Sequence, residues 1–385
     1  MNKVYLDNAA TTPIHPEVFE AMLPYLKENF GNPSSIHWAG NKVRVAIEET
    51  RELIADFINA DASEIYFTSG GTESNNFIIR GIAKTEHAES GRKSIITSKI
   101  EHLAVLETID NLASEGFEIT KISPNHDGKV DPDNISEAIY QNTALISCMH
   151  INNEIGSINE LAVIGNFILN KNIWLHTDAV QSFGKFPIDV NELGIHALTA
   201  SAHKIYGPKG VGIAYVKSGT PLSPLILGGS QERNRRGGTE NVAGIIGLGQ
   251  AVRLAKRDSI GNLSHAIDLK QMFVDGINSI DANGLVLNGG KDSSPYIASV
   301  TFSSDYYKND SEAMLIFLDL NGIAVSSGSA CTSGTLKSSH VIKALGKSKK
   351  DAEGTIRFSF GSQNTIEEAE YTLEIIKKMA EKFRK

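Results

Sequence analysis

Between about residues 65 and 216, short apolar runs rich in β-branched residues alternate with longer stretches of helical period. The runs IYF (65–67), SIIT (94–97), FEIT (117–120), ALISCM (144–149), IWLHTD (173–178) and ALTAS (197–201) read as strands, and VGIAYV (211–216) is a further apolar run behind the last. Between most of them lie segments such as 103–115 and 160–170 that suit helices. Strands separated by helices of this length imply a mostly parallel sheet covered on both faces. In such sheets ligands bind outside the carboxyl ends of the strands.

Past SGTPLSPLILGG (218–229), a Pro- and Gly-rich linker, the pattern changes. Helices near 242–256 and 264–279 precede the shorter strands ASVTF (298–302) and TIRFSF (355–360), and a final helix runs to about Lys382. This half reads as a smaller α+β domain to which the N-terminal segment returns. The fold class expected is therefore α/β, with a large domain over 15–255 and a small one built from 1–14 and 256–385. No internal repeat is present, and KSKKD (347–351) reads as a solvated surface turn.

Composition narrows the field. With 385 residues, 41% hydrophobic and 21% charged, the chain has the make-up of an ordinary globular protein of two or three domains. Its net charge of −8 argues against a nucleic-acid surface, which needs a basic patch. MNKVYLDNAATTP lacks the charged and apolar regions of a secretory leader, and no apolar run approaches a membrane span, so the expected location is cytoplasmic. The two cysteines, Cys148 and Cys331, are too few for a disulfide framework or a multi-cysteine metal site. Cys148 lies in an apolar run and reads as a core residue, whereas Cys331 lies in AVSSGSACTSGT (324–335), small and polar nearly throughout. Such a stretch buries too little apolar surface to offset its ordering entropy and is expected to be a mobile loop.

Polar residues collect at the strand ends. TSGGTES (68–74) joins a strand to a helix, and two glycines with several hydroxyls there read as an anion cradle or as a capped tight turn. It is no P-loop, since no Gly-Lys-Ser/Thr follows, and GLGQAV (247–252) lacks the third glycine of a dinucleotide motif. IWLHTD delivers Asp178, followed by Gln181; such a carboxylate is either a helix cap or charge partner, or the holder of a protonated ring nitrogen. His102 stands just past another strand end. SAHKIYGPKG (201–210) adds Ser201 and His203 as donors and Lys204 as an amine. An anion cradle, an aspartate and a lysine at strand ends are the parts of a pyridoxal phosphate site. A metal-dependent hydrolase using His102, His176, Asp178 and His203 is the rival among enzymes, and it leaves Lys204, Arg357 and Cys331 idle. A non-catalytic binding relative is the rival outside them.

The chain resembles the cysteine desulfurases of the class V aminotransferase superfamily nearly end to end. The resemblance is carried by YLDNAATTP (5–13), GNPSS (31–35), TSGGTES, EH (101–102), HINNEIG (150–156), HTDAVQ (176–181), SAHKIYGPKG, RRGGTEN (235–241), SSGSACTSG (326–334) and IRFSFG (356–361). It implies the fold type I of pyridoxal phosphate-dependent transferases, with a large cofactor domain and a small domain carrying the cysteine loop. By the same resemblance Lys204 forms the Schiff base, Asp178 pairs with the pyridine nitrogen, Gln181 bonds the phenolic oxygen and His102 stacks on the ring. Gly71, Thr72, Ser201 and His203 hold the phosphate, joined by Thr239 of the partner subunit in a homodimer. Asn153 lies against the cofactor and, with Arg357, takes the carboxylate of L-cysteine, a task suited to the guanidinium fork. Cys331 receives the sulfur as a persulfide, and the long SSGSACTS loop resembles the group that makes sulfur for iron–sulfur clusters and tRNA thiolation. The implied partners are a sulfur acceptor or iron–sulfur scaffold protein. No resident metal is expected, beyond a cluster that Cys331 touches transiently during transfer, and neither membrane nor direct nucleic-acid binding is expected.

Overall fold

In chain order the strands are β1 (Val4–Tyr5), β2 (Ile65–Thr68), β3 (Ser94–Ser98), β4 (Glu118–Ile122), β5 (Thr143–Ser147) and β6 (Trp174–Asp178). They continue with β7 (Ala197–Ser201), β8 (Gly212–Val216), β9 (Leu285–Asn288), β10 (Ile297–Phe302), β11 (Ile323–Ala324) and β12 (Thr355–Ser359). The structure is a computed structural model that describes residues 3–327 and 338–385.

Seven of the strands form one sheet in the order β2-β8-β7-β6-β5-β3-β4. Only β8 runs against its neighbours β2 and β7; the other pairings are parallel. The continuous apolar runs are explained by burial on both faces. Ile96, Ile146 and Tyr215 belong to one apolar cluster, while the adjacent Ile95, Leu145 and Ala214 belong to another, because successive side chains of a strand point to opposite faces. The architecture is thus α/β with a mostly parallel sheet, as the pattern implies.

A third cluster gathers β10 and β12 with the final helix, Ile366–Phe383, and with Val4 and Leu6 from the N-terminal segment. Its strands form an antiparallel sheet in the order β12-β10-β9. The parallel pair β1 and β11, in register Val4↔Ile323, ties the N-terminal segment to it. Asn8 continues the attachment by donating to the Ser359 carbonyl at 2.9 Å.

Two expectations fail, and the smaller is KSKKD, which is no turn but leads into the short helix Lys349–Glu353. The two helices read near 242–256 and 264–279 are a single helix, Val242–Asp281, of 40 residues. Its near half places Ile245, Leu248 and Val252 in the core of the large sheet, and its far half places Leu269, Phe273 and Ile277 in the cluster of β10 and β12. The stretch between them, around Ile260 and Gly261, faces solvent. A glycine in a helix costs only about 1 kcal/mol, too little to break one that is packed at both ends.

Candidate active site

The carboxyl ends of β2, β6 and β7 open on one cavity of about 350 Å³, within the usual range for small-molecule sites. Past β2 the chain turns through Gly70, whose φ of +149° suits glycine, into the helix Gly71–Ser90. That helix starts without a side-chain cap, so its first amides are free to meet an anion. A Cβ added to Gly70 would lie 3.7 Å from the Ser201 Oγ, which sets the hydroxyl at the end of β7 beside this turn. A Cβ on Gly71 would come within 2.9 Å of a Val180 methyl, so the helix start sits tightly against the chain leaving β6.

Asp178 ends β6 with both oxygens engaged. Oδ1 accepts from the Val180 amide at 3.0 Å, and Oδ2 accepts from Asn75 Nδ2 at 2.7 Å. The carboxylate is therefore a local cap and is aimed by Asn75, and it still lines the cavity. Gln181, one turn on, donates from Nε2 to the Ala9 carbonyl at 2.9 Å. Lys204, just past β7, donates to the carbonyls of Ala9 and Ala10 at 2.6 and 2.7 Å. Its amine is pushed down to about 7, first by burial and then by the positive charges of Arg357 and Lys185, which outweigh Asp178 and Asp7.

His102 caps the helix Leu103–Ser114, its Nδ1 accepting from the Ala104 amide at 3.1 Å. That acceptor role leaves the proton of the neutral ring on Nε2. The ring is accessible through the cavity, yet the protein around it lowers its pKa, burial being the main cause. His203 shares a hydrogen bond with Thr11 Oγ1 at 3.1 Å and is pushed down to about 4, mainly by burial and next by Lys204.

The opposite wall is Arg357, buried in β12. Nη2 pairs with Asp7 Oδ1 at 2.8 Å and Nη1 donates to the Asn153 carbonyl at 2.8 Å, while the buried Nε has no partner among the described residues. The structure thus brings Gly71, Thr72, His102, Asn153, Asp178, Gln181, Ser201, His203, Lys204 and Arg357 around one cavity. It leaves Thr239 out. An ion pair from Arg236 to Glu73 holds that loop behind the helix start, and Thr239 lines a separate hollow with Phe67 and Asn241. Cys331 lies outside the described residues. His176 is spent inside the sheet, bonded to Ser147 at 2.9 Å and Thr199 at 3.2 Å and pushed down to about 3 by burial, so a metal-binding reading loses one of its ligands.

Sequence reading passed over four residues of this site. Asn75 aims Asp178, Asp7 pairs with Arg357, and Glu154, accepting from Ser339, lines the cavity. Lys185 donates to Gln181 Oε1 at 3.4 Å and is pushed down to about 8, first by burial and then by Arg357. Asn75 and Lys185 each stand four residues from a flagged residue, Gly71 and Gln181, a helical spacing that could have marked them.

The chain belongs to the class-V aminotransferase family, whose model matches residues 4–372. Within that family the chain is similar to cysteine desulfurases. It is 48% identical over 382 residues to the cysteine desulfurase IscS of Dictyoglomus turgidum, covering 99% of this chain and 95% of the relative. With the cysteine desulfurase IscS of Methanosarcina thermophila it shares 43% identity over 99% of this chain and 93% of that one. Among solved structures, a NifS-like protein superposes with a TM-score of 0.91 at 35% identity, over 99% of this chain and 100% of the other. SspA, solved in complex with cysteine, superposes with a TM-score of 0.82 at 37% identity, over 94% of this chain and 100% of the other.

Proposed function

We propose that this chain is a pyridoxal phosphate-dependent cysteine desulfurase, which releases L-alanine from L-cysteine and carries the sulfur away as a persulfide on Cys331. The observation that carries the reading is the lysine of depressed pKa, Lys204, sharing one cavity with Asp178, an uncapped helix start and the buried guanidinium of Arg357.

The residues fit the cofactor. Free amides at the start of the helix Gly71–Ser90, with Thr72, Ser201 and His203, suit its phosphate. Asp178 suits its ring nitrogen, Gln181 its phenolic oxygen, and His102 and Asn153 its ring faces, while the Lys204 amine suits its aldehyde. When bound, pyridoxal phosphate supplies an electron sink for the bonds at the amino acid's α-carbon. The chain's own residues do the rest. Lys204 Nζ, about half uncharged near neutral pH by its pKa of about 7, is able both to attack a carbonyl and to take up a proton. Arg357, held by Asp7 and the Asn153 carbonyl, keeps further guanidinium N–H groups to offer the substrate carboxylate and so orients the amino acid. The Cys331 thiolate takes the substrate sulfur, forming an S–S bond as the substrate C–S bond breaks.

A homodimer belongs to the same reading. The position of Thr239 in a hollow apart from the cavity of its own chain supports a role at the site of a second copy. The division into 15–255 and 1–14 with 256–385 is supported by the apolar cluster that β10 and β12 share with the N-terminal segment, while Val341, Ile342 and Ala352 pack with the large sheet. No described helix is long and apolar enough to cross a membrane, and we place the enzyme in the cytoplasm with a sulfur acceptor or iron–sulfur scaffold as its partner. The deciding assay adds L-cysteine to the protein loaded with pyridoxal phosphate and quantifies alanine. Absence of alanine, or full cofactor occupancy in a species that light scattering finds strictly monomeric, would overturn the respective part.

A further inference from the structure

Lys185 is a half-buried cation that the reaction as described leaves without a task. It lies in the turn after β6, and no carboxylate among the described residues offsets its charge. Among the described residues its ammonium donates to Gln181 Oε1 at 3.4 Å and stands 5.4 Å from the centroid of the Tyr296 ring. An ammonium can only donate, and an amide has one accepting and one donating end. Lys185 therefore commits Oε1 of Gln181 to its own side and turns Nε2 toward the N-terminal segment. There Nε2 donates to the Ala9 carbonyl at 2.9 Å, and the same carbonyl accepts from Lys204 Nζ at 2.6 Å. Lys185, Gln181, Ala9 and Lys204 form one hydrogen-bonded line.

We propose that Lys185 is a positioning residue for Lys204: through Gln181 and the Ala9 carbonyl it fixes the direction of the glutamine amide, and it keeps a second positive charge beside the reactive amine. The proposal rests on the reading of Lys204 as the cofactor lysine. The charged and titratable groups around that amine are Arg357 from β12, Lys185, Asp178 at the end of β6, Asp7 from the N-terminal segment, and the histidines His102 and His203. Arg357 and Lys185 favour the uncharged amine, whereas Asp178 and Asp7 favour the ammonium. Without Lys185 the balance moves to the carboxylates, and Lys204 keeps its proton to higher pH.

The test uses apoenzyme with pyridoxal phosphate as the probe and follows the absorbance change of covalent capture across pH. Only the uncharged amine reacts. If its pKa rises by about one unit from about 7, the reactive fraction near neutral pH falls about fivefold, and well above the pKa it hardly changes. Lys185→Met is expected to capture the probe about fivefold more slowly near neutral pH and at the wild-type rate two to three units higher. Lys185→Gln, a second neutral variant, is expected to do the same, and Lys185→Arg to restore capture at both. Neutral variants that match wild type at every pH would overturn the proposal. So would neutral variants slowed equally at every pH, the mark of a damaged cavity. Wild-type protein that captures no probe would overturn the functional reading and this proposal together, whereas normal capture without the pH-dependent difference overturns this proposal alone.

Discussion

The two walls of the cavity are built by opposite means. On one side Asp178, Ser201 and Lys204 stand at or just past the ends of β6 and β7, neighbours locked in register by Asp178↔Thr199. The sheet fixes their backbones, and each side chain needs only a short reach to the cavity. On the other side Arg357 lies within β12 and is aimed by two partners from elsewhere, Asp7 on the N-terminal segment and the carbonyl of Asn153. The first wall owes its precision to the backbone ladder, the second to an ion pair between distant segments. Damage to the first is therefore expected to remove the reaction, and damage to the second to loosen substrate binding.

Lys204→Ala is the most severe break. Alanine release should fall by about three orders of magnitude or more, and the visible absorbance of covalently held cofactor should vanish while the fold persists. Unchanged absorbance would show that another group holds the cofactor. Cys331→Ala leaves both walls intact, so it should retain the colour and lose alanine release by about a thousandfold. Cys148→Ala, changed in the core of the large sheet, should keep turnover and lose about 1 kcal/mol of stability. Alanine release by Cys331→Ala at the wild-type rate would remove Cys331 from the mechanism.

The second wall is sharpened by Arg357→Lys. A point charge cannot hold Asp7, Asn153 and a carboxylate together, so KM for L-cysteine should rise about tenfold or more with a smaller change in kcat. Asp7→Asn, which keeps a hydrogen-bond acceptor but drops the charge, should raise KM about two- to fivefold. A kcat loss exceeding the KM rise in either variant would make this wall part of the chemistry. The smallest effect concerns the interior of β6. Buried His176 has a folded pKa of about 3, below its unfolded value of about 6.5, so its contribution to stability is complete above about pH 6.5 and is lost as pH falls toward the folded value. Thermal melts of wild type and His176→Gln should converge as the pH is lowered through that window, and a constant gap would contradict the assignment.

The same contrast explains what could be read in the sequence. Asp178, Ser201 and Lys204 were legible because a strand ends where its apolar run ends, and ligands of parallel sheets gather at that edge. Asn75 and Lys185 were legible in principle, since a helical spacing relates them to flagged neighbours, but a lone amide or lysine at that spacing is common on any surface. Asp7 with Arg357 was not. Nothing local announces a pair 350 residues apart, and the role of Arg357 came from resemblance alone. The unity of Val242–Asp281 was hidden for a related reason: its solvent-facing middle breaks the apolar period without breaking the helix.

The return of the N-terminal segment has a consequence for biosynthesis. Val4 pairs with Ile323 and Asp7 with Arg357, so Val4 and Asp7 leave the ribosome early and find their partners only after more than three hundred further residues have been added. At ordinary translation speeds that delay is roughly fifteen seconds to a minute. The carbonyls of Ala9 and Ala10 have their partner Lys204 well before that, but when Arg357 emerges it has no carboxylate to pair with until Asp7 docks. The nascent chain can complete its large sheet co-translationally, with Lys204 in place, and still lack the wall that holds Arg357.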